Sequence, residues 1–178
     1  MTEPQQAEPK PQVPVRNNGW IWYFAFLIIA SVGVTAFMIW FNLSIQLQPE
    51  QLEVAHKRWL EYGPKNYKLV LKKKLNNEDR VTTFIATVRN KKVTDVTMDG
   101  RPLTAEKEGD PDPRPNHSMD AQFSFVQTFM TMDHKEKAPK AYVTALFDPE
   151  TGALLRYVRR VMGTTQRVEL NITLEAIE

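Results

Sequence analysis

One stretch restricts this chain more than any other. From Trp20 to Phe41, 22 consecutive residues carry no charge and are rich in Ile, Phe, Ala, Val and Trp. As an α-helix they span roughly 33 Å, about the thickness of a bilayer's hydrocarbon core. A core helix of a soluble protein seldom runs so long without a polar face. Trp20, Trp22 and Tyr23 stand at one end and Trp40 and Phe41 at the other, where amphipathic rings settle at the two headgroup levels. The run predicts a transmembrane helix over 20–41, with the lipid bilayer as its partner.

Orientation follows from the flanks. Lys10 and Arg16 precede the run, whereas Asn42 to His56 holds two Glu and no Lys or Arg. Basic residues stay on the cytoplasmic side, which predicts a single-pass membrane protein with its N-terminus in the cytoplasm and the rest of the chain outside it. Val34 and Ala36 are small enough to precede a signal-peptidase cut, but Phe37 to Trp40 prolong the apolar run beyond them, which favours an uncleaved signal anchor. Ala30, Gly33 and Ala36 also place small residues at a spacing that suits helix packing in a membrane.

Residues 1–19, with Pro9, Pro11 and Pro14 among Gln and Glu, have too little apolar surface to fold and read as a disordered tail. Residues 42–48 read as a linker, and 49–178 are enough for one domain but not for two cores. Lys and Arg number 23 against 21 Asp and Glu, a mixed surface without the polybasic tract that grips nucleic acid. The chain has no cysteine, which excludes disulfides, thiolate catalysis and Cys-based zinc sites and suits a bacterial envelope protein.

Within 49–178, Leu52, Ala55 and Trp59 recur at helical spacing until Gly63 and Pro64 stop the helix. Tyr67, Leu69, Leu71 and Leu75 alternate with Lys68, Lys72 and Lys74, the period of a strand with one wet face. Val81 to Arg89 and Lys92 to Met98 follow, joined by turns at Asn76 to Arg80 and at Asn90-Lys91, and end at Asp99-Gly100. Thr104 to His117, with three prolines and six charged residues, reads as a long surface loop. Ser118 is a plausible N-cap for a helix reaching Asp133, with an apolar stripe of Met119, Phe123, Val126, Phe129 and Met130. Ala141 to Phe147, Ala153 to Met162 and Gln166 to Ile177 then form a second meander around the Asp148 to Gly152 turn. Short turns pair strands antiparallel. The expected fold is therefore α+β: an α-βββ-α-βββ order giving an antiparallel sheet of about six strands with helices packed on one face.

Signs of chemistry are few. His56, His117 and His134 stand apart and match no metal-ligand spacing. Ser118 and Ser124 sit in no GxSxG elbow, and no phosphate-binding glycine loop occurs. Glu106, Glu108, Asp110 and Asp112 alternate but lack the spacing of a calcium loop. No catalytic residue, cofactor or metal is expected. The one candidate site is a basic binding face made by Lys68, Lys72 and Lys74 together with Arg156, Arg159 and Arg160, suited to anionic headgroups, an acidic polymer or a partner protein.

Trp59 with Gly63-Pro64-Lys65-Asn66-Tyr67, Val88 to Val93, Ser118-Met119-Asp120 with Phe123, and Phe147 to Gly152 carry a resemblance. Over Trp59 to Ile177 the chain resembles a bacterial family of uncharacterised exported or membrane-anchored small α+β domains, with Asn90 where that family usually has glycine. The resemblance implies the envelope location and the fold, and brings no activity or catalytic residues with it. The function expected is a non-catalytic binding or accessory module of the cell envelope with an envelope protein as partner. The alternative is an extracytoplasmic enzyme acting on a glycan or peptide.

Overall fold

The computed structural model describes residues 19–76, 80–105, 110–136 and 138–177. The tail read from the sequence therefore lies, up to Asn18, outside the described residues, as do Glu106 and Glu108 of the long loop. The chain divides after Ser44 into two units. The first holds helix α1, Gly19–Ser44, which is long and apolar enough to cross a membrane and has no buried residue. It runs three residues beyond Phe41, where the apolar run ends.

The second unit is α+β. Helix α2, Pro49–Tyr62, is followed by strands β1 Tyr67–Leu75, β2 Val81–Arg89, β3 Lys92–Met98 and the two-residue β4 Arg101–Pro102. Helix α3, Met119–Asp133, precedes β5 Ala141–Phe147, β6 Leu154–Val161 and β7 Arg167–Ala176. All seven strands form one antiparallel sheet in the order β4-β3-β2-β1-β7-β6-β5. The seventh strand, β4, is too short to show a period in the sequence and contains a proline. It exists because Asp99 and Gly100 adopt positive φ, of 49° and 81°, and fold the chain back on β3.

The two meanders join through β1 and β7, whose register pairs Leu69 with Leu174, Leu71 with Ile172 and Lys73 with Leu170. Side chains of that set face the helices. Tyr67, Leu69, Leu71, Ala86, Val88, Val96, Leu170, Ile172 and Tyr157 are all buried there. From α2, Trp59 meets Tyr67 edge to face at 5.4 Å and donates its Nε1 to Asp120 at 3.1 Å. From α3, the Met119 amide donates to the Tyr67 hydroxyl at 3.1 Å and Phe125 lies edge-on to Tyr157. Both helices thus pack on one face. Ser118 caps α3 by accepting from the Ala121 amide at 3.1 Å. Of the stripe expected on α3, Met119, Phe123, Val126 and Met130 are buried and Gln122 joins them.

Candidate functional site

Neither α2 nor α3 lies on the opposite face of the sheet, and none of its described side chains is buried. Register fixes what stands on it. One row runs Leu146, Arg156, Asn171, Lys72 and Thr83; the next runs Thr144, Val158, Glu169, Lys74 and Val81. Arg160 stands beside Arg167 and Tyr142, and Lys68 lies between Glu175 and Thr87. The structure therefore gathers Lys68, Lys72, Lys74, Arg156 and Arg160 on one face.

Arg159 is not among them. It projects to the helix side between Tyr157 and Val161, is 8% exposed, and grips Asp133 at the end of α3 with two hydrogen bonds, Nε to Oδ2 at 2.8 Å and Nη2 to Oδ1 at 2.5 Å. Its guanidinium also lies 4.7 Å from the centre of the Phe129 ring. Alternation along a strand sends neighbours to opposite faces, so Arg159 and Arg160 could not share one. Arg159 is a structural cation.

On the open face, Glu169 is the acidic centre. Arg156 and Arg167 reach it at 3.0 Å and 2.9 Å, and Asn171 approaches it at 3.5 Å. Burial pushes its carboxyl up, but the hydrogen bonds from Arg156 and Asn171 and the charges of Arg167 and Arg156 outweigh that and hold it below the usual carboxylate range. Lys72, Lys74 and Arg160 have no ion-pair partner among the described residues. The face keeps a surplus of exposed positive charge, with Val70, Ile85, Val158 and Leu146 as apolar ground between the charges.

The helix side has a second feature that no sequence motif announced. Between α3 and the strands lies a cleft of about 580 Å³, floored by Leu71, Lys73, Phe84 and Leu170 and walled on α3 by Gln122, Phe125 and Thr128. Its end is closed by a 3-10 turn, Arg114–His117, which is the last part of the long loop. His117 stacks at 4.6 Å on Phe84, and its Nδ1 lies 3.2 Å from the Pro113 carbonyl. Burial lowers the His117 pKa and the Lys73 ammonium lowers it further, against backbone hydrogen bonds that favour the cation.

The sign of the resulting pH dependence is set by the unfolded chain, which binds the proton more readily, with an ordinary value of 6.5. The His117 contribution to stability is complete above that value and declines as pH falls through it. Urea titrations on either side of it are expected to show a larger acid-side loss in the wild type than in His117→Phe, and equal losses would refute the assignment.

The other two histidines are occupied locally: His56 stacks on Phe123 at 4.6 Å, and His134 Nδ1 lies 2.7 Å from the Met130 carbonyl at the end of α3. In the long loop, Asp112 is taken up by Arg114 at 2.8 Å. Among the described residues no three His, Asp or Glu side chains are grouped as a metal ion requires. No family model, curated protein or solved structure matches this chain.

Proposed function

We propose that this chain is a membrane-anchored binding module of the cell envelope, anchored by α1 with its N-terminus in the cytoplasm, whose folded domain docks an acidic partner protein through the open sheet face. One observation carries the reading: among the described residues, Lys72, Lys74 and Arg160 have no acidic partner, and neither α2 nor α3 covers the sheet face on which they stand. An exposed strand face needs only scattered lysines to stay soluble, and a surplus of cations interleaved with valine, isoleucine and leucine suits a complementary acidic surface better. The length and apolar character of α1 support the anchoring.

The test is affinity purification of the full-length chain from its native membranes in mild detergent, beside a Lys72→Glu, Arg160→Glu double variant. A stoichiometric envelope protein is expected with the wild type and at least tenfold less with the variant, since each reversed contact opposes an acidic group on the partner. Recovery of the same partner at the same yield with both proteins would remove the open face from the interface. A wild-type chain that elutes alone would refute the docking role.

A further inference from the structure

Lys73 is the anomaly of β1. Its neighbours Lys72 and Lys74 point to the open face, but position 73 pairs with Thr82 and Leu170 in the row that faces the helices. A lysine in such a row is costly unless its ammonium is wet or paired. Here the cleft keeps it wet: Nζ lies 5.4 Å from the centre of the Phe125 ring, and no carboxylate pairs with it among the described residues. The nearest acidic groups on α3 are committed elsewhere, Asp120 to Trp59 and Asp133 to Arg159.

The surroundings define what would complement that cation. Among the described residues none that lines the cleft is acidic, and Leu71, Phe84, Phe125 and Leu170 give it an apolar floor and wall. Its volume falls within the usual range for small-molecule sites. His117 is held toward its neutral form, so one fixed positive charge, not two, meets the ligand near neutral pH. A single anionic head on an apolar body matches this better than a phosphate dianion does.

We propose that this cleft is a binding site for a small organic carboxylate with an aromatic or short aliphatic body, the carboxylate held by Lys73 and the body against Phe84 and Phe125. This site is separate from the docking face: Lys73 and Lys72 lie on opposite sides of the same strand, so either proposal can fail without the other.

The experiment uses the full-length chain in lipid nanodiscs and follows fluorine NMR of 4-(trifluoromethyl)phenylacetate, with empty nanodiscs as the blank. The wild type is expected to bind the probe. Lys73→Met is expected to weaken binding about tenfold or more, the usual size of a lost charge-assisted hydrogen bond. Lys73→Arg should restore most of it, and Lys72→Met should leave it unchanged. The neutral amide of the probe should bind wild type and Lys73→Met equally weakly. Binding that ignores Lys73→Met, or an amide bound as well as the acid, would overturn the proposal and leave Lys73 as a lysine that merely reaches solvent past Phe125. Displacement of the probe by inorganic phosphate at equal concentration would overturn the part played by the apolar body.

Discussion

Replacing Asp133 with alanine is expected to destabilise the folded domain by about 3–5 kcal/mol, the usual loss when one partner of a buried ion pair is removed. The loss comes less from the missing attraction than from the guanidinium left behind. Arg159 and Asp133 are 10% and 11% exposed at their side chains, and the Arg159 head is wedged against Phe129, so it cannot simply swing into water. Urea titration of the full-length chain in nonionic detergent, followed by far-UV circular dichroism, measures the change. Replacing both residues, Asp133→Leu with Arg159→Met, should recover most of it, because no buried charge then lacks a partner. If Asp133→Ala costs less than about 1 kcal/mol, the value of an exposed pair, the pair is not the clamp between α3 and β6 described above.

An effect of similar size is expected at Gly152. This glycine closes the Asp148 to Gly152 turn with φ of 78° and donates its amide to the Asp148 carbonyl at 2.8 Å. The turn is fixed from within, as Asp148 accepts from the Thr151 hydroxyl at 2.6 Å and the Glu150 amide at 3.1 Å. It is fixed from outside by Arg58 of α2, whose Nη1 donates to the Pro149 carbonyl at 2.6 Å. A Cβ at position 152 would strike the Ala55 carbonyl and come within 2.8 Å of the Trp59 amide nitrogen and 2.9 Å of the Arg58 Cβ. Those are atoms of the α2 backbone and its first side-chain carbon, and they cannot rotate away. Gly152→Ala therefore combines a left-handed backbone penalty of roughly 1–2 kcal/mol with displacement of a helix. The expected sum is about 4 kcal/mol, at the upper end for single substitutions. The same urea titration reads it, and Gly163→Ala, where φ is 73° but nothing lies within 4 Å, isolates the backbone part. Equal costs at the two positions would show that α2 does not press on the turn.

How much of this was legible in the sequence depends on the range of the interaction. The apolar helix, the limits of α3, its Ser118 cap and the two meanders rest on local period and turn chemistry, which a few adjacent residues set. The pairing of β1 with β7, which turns two meanders into one sheet, depends on residues about a hundred positions apart, and no local pattern encodes it. Alternation alone places Lys73, which the sequence reading leaves out, and corrects Arg159, which that reading puts on the wrong face. Strict alternation from Tyr67, Leu69 and Leu71 leads to Lys73 before Leu75, and strict alternation from Arg156 and Arg160 excludes Arg159. What alternation cannot supply is why each is tolerated: Asp133 stands 26 residues before Arg159, and the cleft around Lys73 exists only once α3 lies over the strands. His117 carried no motif either; its burial comes from the 3-10 turn that brings it onto Phe84.

The Leu47 amide donates to the Val143 carbonyl at 2.9 Å, and the Leu47 side chain is buried. The chain's own lead-in thus occupies an outward-facing acceptor on β5, the strand at one end of the sheet. At the other end the edge is β4, two residues long and ending in Pro102, which has no amide hydrogen to offer. Each margin therefore has part of its backbone engaged from within the chain, the Val143 carbonyl of β5 by Leu47 and residues Val96 to Met98 of β3 by Leu103 and β4, so an incoming strand meets an interrupted edge on either side. In the docking proposed for the open face, selectivity then rests on side chains and not on strand addition, and single substitutions there alter the surface without touching the fold.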